Sequence, residues 1–159
     1  MPLRRELMPP VFDGARVARL AELADRIDGA AVGQWDDDSA EFNREAGTDL
    51  AVLDFQGISG GQDHRTWVCK LLVEASVRLV PAITCAELVE MVRRVKAGEG
   101  AEEEIEFWLG MLAVNLPDPQ VSNLLFWPGV YFGDGDDTGD LSPEQLVDTA
   151  RTRAAGPNP

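Results

Sequence analysis

The sequence predicts an all-α protein, and three observations lead to that prediction. Apolar residues recur at three- and four-residue spacing along most of the chain, whereas the alternation typical of strands is hard to find. Two capping boxes, Thr84 to Glu87 and Ser142 to Gln145, mark helix starts in the second half. With 159 residues and a hydrophobic content of 45%, the chain is long enough to bury a core.

Residues 1–82 are predicted to form a helical N-terminal region. An amphipathic helix over residues 16–27 is closed by Gly29, and a second helix over residues 38–46 is ended by Gly47. Asp63 is a suitable N-cap for a third helix, and Pro81 then breaks the chain.

The remainder of the chain is predicted to contain four helices. The first follows Thr84 and stops at Gly98, and the second covers residues 102–114, opening with acids that suit the positive end of a helix dipole. A short third piece, residues 121–127, is cut off by Pro128. After a loop over residues 129–139, Ser142 starts the last helix, and residues 157–159 are predicted to be a frayed tail.

Acidic residues dominate the charge, with 28 Asp plus Glu against 14 Lys plus Arg and a formal net charge of −14. Between Glu99 and Asp148 twelve acids occur and no Lys or Arg. Such a chain repels nucleic acid and anionic membranes and attracts basic partners. Two cysteines indicate a reducing compartment, and no segment has the length of a signal peptide or a membrane span, so the sequence predicts a cytoplasmic protein that does not bind membranes or nucleic acid directly.

No catalytic or metal-binding motif is complete. Asp63-His64 near Ser59 is a weak candidate for nucleophilic catalysis. The loop 134–140 matches the first half of an EF-hand, but Gln145 stands where a bidentate glutamate is needed, which favours an acidic loop before a helix. We therefore predict that the protein is not an enzyme and uses no cofactor or metal.

Two groups of apolar residues in the second half have no obvious place in a core. In the helix over residues 102–114, Ile105 and Leu109 lie among acids on the face opposite the core stripe, so that helix either packs on two sides or presents a contact surface for a basic protein. Four aromatic residues precede the acidic loop, namely Phe126, Trp127, Tyr131 and Phe132. Because the adjacent Phe126 and Trp127 cannot both be buried on one helix face, one of them is predicted to reach the surface.

The order of these motifs resembles the immunity proteins of nuclease bacteriocins, the colicins and pyocins. That family has a first helix opened by Thr-x-x-Glu, an acidic second helix, a short third helix reading Ser-Asp-Leu-Ile-Tyr-Tyr-Pro, and an acidic loop leading into Ser-Pro and a final helix. The counterparts here are Thr84 to Glu87, residues 102–114, Ser122-Asn123-Leu124-Leu125-Phe126-Trp127-Pro128, and residues 135–137 followed by Ser142-Pro143. The resemblance covers residues 83–156.

The resemblance implies a four-helix immunity-like bundle that inhibits a basic nuclease toxin by stoichiometric binding to an exosite beside its active site. In that family the second helix tunes the choice of partner and the aromatic pair of the third helix anchors the complex. Carried onto this chain, the partner-binding residues would be Glu102, Ile105, Glu106, Leu109, Ala113, Asn123, Phe126 and Trp127.

Three positions depart from the family pattern. Asn123 replaces an aspartate, Phe126 and Trp127 replace tyrosines, and Ala113 stands where an acid is common. These departures predict either a partner unlike the well-known ones or a binding function that has drifted.

Other interpretations remain open. The alternative function is an acidic interaction module, or nucleic-acid mimic, that engages DNA-binding proteins, and a third is a calcium-responsive protein. Residues 18–27 resemble residues 86–95 at a constant offset, so the first 82 residues are interpreted as a degenerate second copy, a toxin-selecting extension or a domain with its own role.

Overall fold

The structure, a computed structural model, describes residues 2–31, 33–136 and 139–155. The regular structure in these residues is helical and contains no strand, which confirms the all-α prediction. The α-helices are α1 Gly14–Asp28, α2 Asp36–Ala46, α3 His64–Ser76, α4 Cys85–Ala97, α5 Glu102–Asn115, α6 Val121–Phe126, α7 Pro128–Phe132 and α8 Pro143–Ala155. Short 3-10 turns lie at Arg5–Leu7, Val52–Asp54 and Ile58–Gly60.

The ends of α4 show why the local signals in the sequence are reliable. The Thr84 hydroxyl accepts a hydrogen bond from the Glu87 amide, and the Glu87 carboxylate accepts one from the Thr84 amide at 2.8 Å, which completes the predicted capping box. At the other end Gly98 takes a left-handed conformation with φ of 62°. Glycine adopts this backbone without the steric cost of a Cβ atom, so the helix stops there.

The chain divides into two compact units. The N-terminal unit is Pro10–Ser76, and the C-terminal unit joins the residues up to Pro9 to the chain from Val77 onwards. The sequence-based division lay between residues 82 and 83 instead. The difference arises because two segments without helical periodicity, residues 2–9 and 77–82, pack with the second half of the chain.

In the N-terminal unit, α1 packs against both α2 and α3. Three aromatic rings meet in its core. Phe42 lies edge-on to Phe55 with the two ring centroids 4.9 Å apart, and the Trp67 centroid lies within 5.8 Å of both. On the surface, Arg19 bridges α1 to two carboxylates of α2, including that of Glu45 at 3.1 Å. Exposed pairs of this kind add little stability, so burial of the apolar helix faces holds this unit together.

In the C-terminal unit, α4 packs against α5 and α8, and α6 packs against α5, α7 and α8. The core of this unit is built from one stripe of each long helix, and the predicted core stripe of α5 is confirmed. Its buried members are Phe107, Trp108, Met111 and Leu112.

The residues before α1 close one side of this core. Leu7 is fully buried, and its carbonyl oxygen accepts a hydrogen bond from the Trp108 indole at 3.0 Å. Arg4 donates two hydrogen bonds to the buried Glu87 carboxylate, and together with the Thr84 amide they lower the pKa of Glu87 against the opposing effect of burial. Residues 2–9 therefore supply both a buried apolar side chain, that of Leu7, and a counter-ion, Arg4, to the C-terminal unit.

The segment before α4 lies along α5. A Cβ atom on Gly110 would come within 2.6 Å of the Val77 side chain, so only glycine allows this close approach. The Asn115 side chain then fastens the segment, because it accepts a hydrogen bond from the Val80 amide at 2.8 Å and donates one to the Arg78 carbonyl at 3.0 Å.

A buried carboxylate on α4 makes the stability of this unit depend on pH. Glu90 accepts hydrogen bonds from Arg93 at 2.8 and 2.9 Å and from Arg94 at 2.9 Å. The bonds from Arg93, helped by that from Arg94, lower the pKa of Glu90 to about 2 despite its burial. Because the pKa is lower in the folded state than in the unfolded chain, the ionised form stabilises the fold above about pH 4.5, and this contribution is lost as the pH falls towards 2.

We expect Glu90 to contribute about 2 kcal/mol less at about pH 3 than at about pH 6. Urea unfolding followed by circular dichroism, on the natural chain and on Glu90→Gln, measures this contribution as the difference between the two proteins. Glu22→Gln, at an exposed position in α1, controls for the loss of one charge. A difference between natural and Glu90→Gln proteins that stays constant over this pH range would contradict the assignment.

Candidate functional site

The five candidate residues of the second helix share one face of α5. They follow the spacing of successive helical turns, and α5 turns its buried stripe away from them. Glu102 and Ala113 are exposed, whereas Ile105, Glu106 and Leu109 are half-buried. The face is therefore accessible at its two ends and partly covered at its centre.

The two carboxylates of this face, Glu102 and Glu106, form no ion pair with a described residue. In the same first turns of α5, Glu103 also forms no ion pair within the described part of the chain, and the Glu104 carboxylate accepts a hydrogen bond from the Ala101 amide at 2.8 Å. The helix dipole stabilises acids at this end of α5, so the charge adds no strain to the helix itself. The result is a stretch of surface whose negative charge remains available to a partner.

The candidate residues of the third helix lie at the end of α6. Phe126 and Trp127 are 46% and 57% exposed, so both rings, and not just one, reach the surface. Asn123 is half-buried, and its carbonyl accepts the Trp127 amide at 2.6 Å, which fixes the turn that carries the tryptophan. Val121 and Leu124 point the other way and bury α6 in the core.

A helix that the sequence-based prediction missed continues this surface. Residues 129–139 were predicted to be a loop, but Pro128–Phe132 form α7. Proline is favoured at the first position of a helix, and Gly133 ends α7 in a left-handed conformation with φ of 72°, so Pro128 is a helix start as well as the end of α6. That pairing of proline and glycine is the signal that would have revealed it.

Two side chains of α7 extend the exposed apolar surface. Val130 is 63% exposed and Phe132 is 51% exposed. With the two rings at the end of α6 they give four exposed apolar side chains within seven residues, which we call the apolar patch: Phe126, Trp127, Val130 and Phe132. Phe132 was among the aromatics noted in the sequence, whereas Val130 was not.

Tyr131, between Val130 and Phe132, holds α7 against the core. Tyr131 is buried, and its hydroxyl donates a hydrogen bond to the buried carboxylate of Asp118. Arg153 of α8 lies over the face of the tyrosine ring, with its guanidinium carbon 4.2 Å from the ring centroid. The same guanidinium donates a hydrogen bond to the Tyr131 carbonyl at 3.0 Å. Burial, followed by the hydrogen bond to Asp118, raises the pKa of Tyr131, so the phenol stays protonated and keeps donating.

A groove of about 450 Å³ opens beside the patch. Phe132 of α7 and Asp148 and Thr152 of α8 are among the residues that line it. The carboxylate of Asp148 is exposed and forms no ion pair with a described residue, whereas Arg153, also in the groove, is already engaged by Tyr131.

The candidate catalytic group in the N-terminal unit has a different arrangement from a catalytic triad. Asp63 caps α3 by accepting hydrogen bonds from the Thr66 amide and hydroxyl, as predicted for an N-cap. His64 contacts Asp28 at 2.9 Å, and the Ser59 amide donates to the same carboxylate at 3.1 Å. A triad needs the histidine between the acid and the serine, whereas here the acid lies between the other two.

Asp28 instead ties the loop to the end of α1. Burial favours its neutral form, but the hydrogen bonds from His64 and from the amides of Ser59 and Gly57 outweigh burial and lower the pKa of Asp28. The ionised carboxylate thus accepts hydrogen bonds from three groups of the loop and of α3. The structural role of this cluster is to hold them at the end of α1.

The calcium candidate can be compared with the structure only in part. Asp137 and Thr138 of the loop lie outside the described residues. Among those that are described, no three His, Cys, Asp or Glu side chains are grouped so that they could hold a metal ion. In the same loop Asp134 accepts a hydrogen bond from the Asp136 amide at 2.9 Å, and Asp140 pairs with Lys96 at 2.7 Å.

Comparison with protein-family models, curated protein sequences and solved structures gave no match to this chain. The resemblance to immunity proteins therefore depends on the ordered motifs alone. No described helix combines the length and the hydropathy required to cross a membrane.

Proposed function

We propose that the protein is an immunity protein, which binds and inhibits a basic bacteriocin-type nuclease toxin through its C-terminal unit. The observation that carries the proposal is the apolar patch, because it exposes three aromatic rings on a chain of net charge −14. Several large apolar side chains exposed close together are typical of a binding site. Tryptophan is among the residues that most often act as interface hot spots.

The charge around the patch supports a basic partner. The chain from Glu99 to Asp148 supplies α5, α6, α7 and the following loop, and it contains twelve acids and no Lys or Arg. The carboxylates would steer a cationic protein towards the patch and reject acidic ones, while the rings would supply the affinity after contact. In this proposal the α5 face tunes partner choice, and Phe126 and Trp127 are the anchors.

The arrangement of helices also supports the proposal. In the immunity-like interpretation α4, α5, α6 and α8 are the four helices of the bundle, and α6 is the short one between the second and the last. The packing of α6 on both α5 and α8 suits that interpretation. Inhibition would follow because a bound acidic protein excludes nucleic acid from a neighbouring active site by its bulk and by its negative charge.

The test is inhibition of purified nuclease domains from bacteriocins, with DNases and RNases assayed separately. We expect cleavage by at least one of them to fall linearly as the chain is added and to stop at one chain per nuclease, also at high salt. Inhibition that has no stoichiometric endpoint and disappears at high salt would favour the nucleic-acid mimic, because contacts made by charge alone are screened. Absence of inhibition across both classes would contradict the proposal.

A further inference from the structure

We infer that the docking surface extends past Pro128 onto α7, where Val130 and Phe132 contact the same basic polypeptide as Phe126 and Trp127. The inference rests on the proposed function but goes beyond it, because the motif of the third helix ends at Pro128 and includes neither residue. It commits to one kind of occupant, a basic polypeptide that also presents apolar side chains.

The geometry of α7 leaves these two side chains no place in the core. Trp127 caps α7, and its carbonyl accepts the Val130 amide at 2.9 Å and the Tyr131 amide at 3.1 Å, so the first turn of α7 is fixed to the end of α6. The inward position is filled by Tyr131, held from both sides by Asp118 and Arg153. The rotation of α7 is thereby set, and Val130 and Phe132 must face outwards.

Exposing these side chains brings the isolated chain no benefit. Burying a valine or phenylalanine side chain is favourable, and the free chain leaves more than half of each of these two side chains exposed. The Phe132 ring keeps one contact inside the chain, because it packs edge-on against the Tyr131 ring with the two centroids 5.0 Å apart, yet half of the phenylalanine is still exposed. A partner that covers α7 would recover this free energy.

Charge decides which partner that is. A second copy of this chain would bring together two chains that each carry a net charge of −14, so self-association through the patch is opposed. The groove beside Phe132 is lined by one carboxylate, that of Asp148, and by the Arg153 guanidinium, which lies over the Tyr131 ring. A lysine stem can pack on the Phe132 ring while its ammonium reaches the Asp148 carboxylate, which forms no ion pair with a described residue.

The test titrates the isotope-labelled full chain with a short synthetic peptide of leucine and lysine and follows the amide signals by NMR. We expect the shifts to include residues 129–133 together with 123–127. Val130→Ser combined with Phe132→Ser should weaken the binding of this peptide about tenfold. Leu53→Ser, at a residue 77% exposed in the N-terminal unit, is the matched control and should leave binding unchanged.

Two results would overturn the inference. One is a peptide that shifts α5 and α6 but not α7, or that does not bind at all. The other is a double variant that binds as well as Leu53→Ser while its circular dichroism spectrum shows the fold intact. Repeating the variants on a nuclease that the chain inhibits separates the two proposals, because inhibition unaffected by the double variant removes α7 from the interface and leaves the proposed function standing. Peptide binding at α7 without inhibition of any nuclease would instead contradict the proposed function and leave the docking surface on α7 standing.

Discussion

Replacing Trp127 by alanine should weaken binding to an inhibited nuclease by about 100-fold, which corresponds to about 2.7 kcal/mol. Trp127 is the largest exposed side chain of the patch, and its backbone is fixed by hydrogen bonds to both α6 and α7. A large ring presented in a set position loses little conformational freedom when a partner covers it, so most of its burial would appear as affinity. Isothermal titration calorimetry with the purified nuclease domain measures the change.

The stability of the variant separates loss of contact from loss of fold. Because Trp127 is more than half exposed, we expect Trp127→Ala to change the free energy of unfolding by less than about 1 kcal/mol. Leu109→Ala, on the α5 face, should weaken binding by a smaller factor, and Leu53→Ala should have no effect. Unchanged affinity in both Trp127→Ala and Leu109→Ala would remove the anchors on which the proposed function depends.

Local signals allowed most of the helices to be predicted. The start of α4 follows from a hydroxyl and a carboxylate three residues apart, and its end follows from Gly98, so neither depends on the rest of the fold. The spacing of Glu102, Ile105 and Leu109 placed them on one face of α5 for the same reason. The degree to which that face is covered depends on neighbouring elements, and periodicity carries no information about it.

Two features were not predicted from the sequence: the helix α7, because Pro128 can both end and start a helix, and the position of residues 2–9, because distant residues determine it. Pro128 ends one helix and starts the next, and treating it only as a terminator turned α7 into a loop and left Val130 out of the candidate site. Residues 2–9 have no helical periodicity, and their place is set by contacts with residues about a hundred positions away, such as the hydrogen bond from Trp108 to Leu7. Nothing in their own sequence indicates those contacts.

The placement of these N-terminal residues leads to the second large effect. Leu7→Ala should destabilise the C-terminal unit by about 3 kcal/mol, because it leaves a cavity where a fully buried leucine packs beside Trp108. The variant is far in sequence from α5, yet we expect its effect there. Urea unfolding combined with hydrogen exchange of the α5 amides, measured by mass spectrometry, reports both its size and its location.

Leu53→Ala is the control for the loss of three side-chain carbons, since Leu53 is largely exposed and its truncation leaves no buried cavity. Equal stability of the two variants would show that residues 2–9 add nothing to the C-terminal unit. A chain shortened to begin at residue 83 would lack Leu3, Leu7 and the Arg4 partner of Glu87. If Leu7→Ala is less stable than Leu53→Ala, such a shortened chain should also be destabilised. Weak binding by that shortened chain would then report a loosened core, so the interface has to be tested in the full chain.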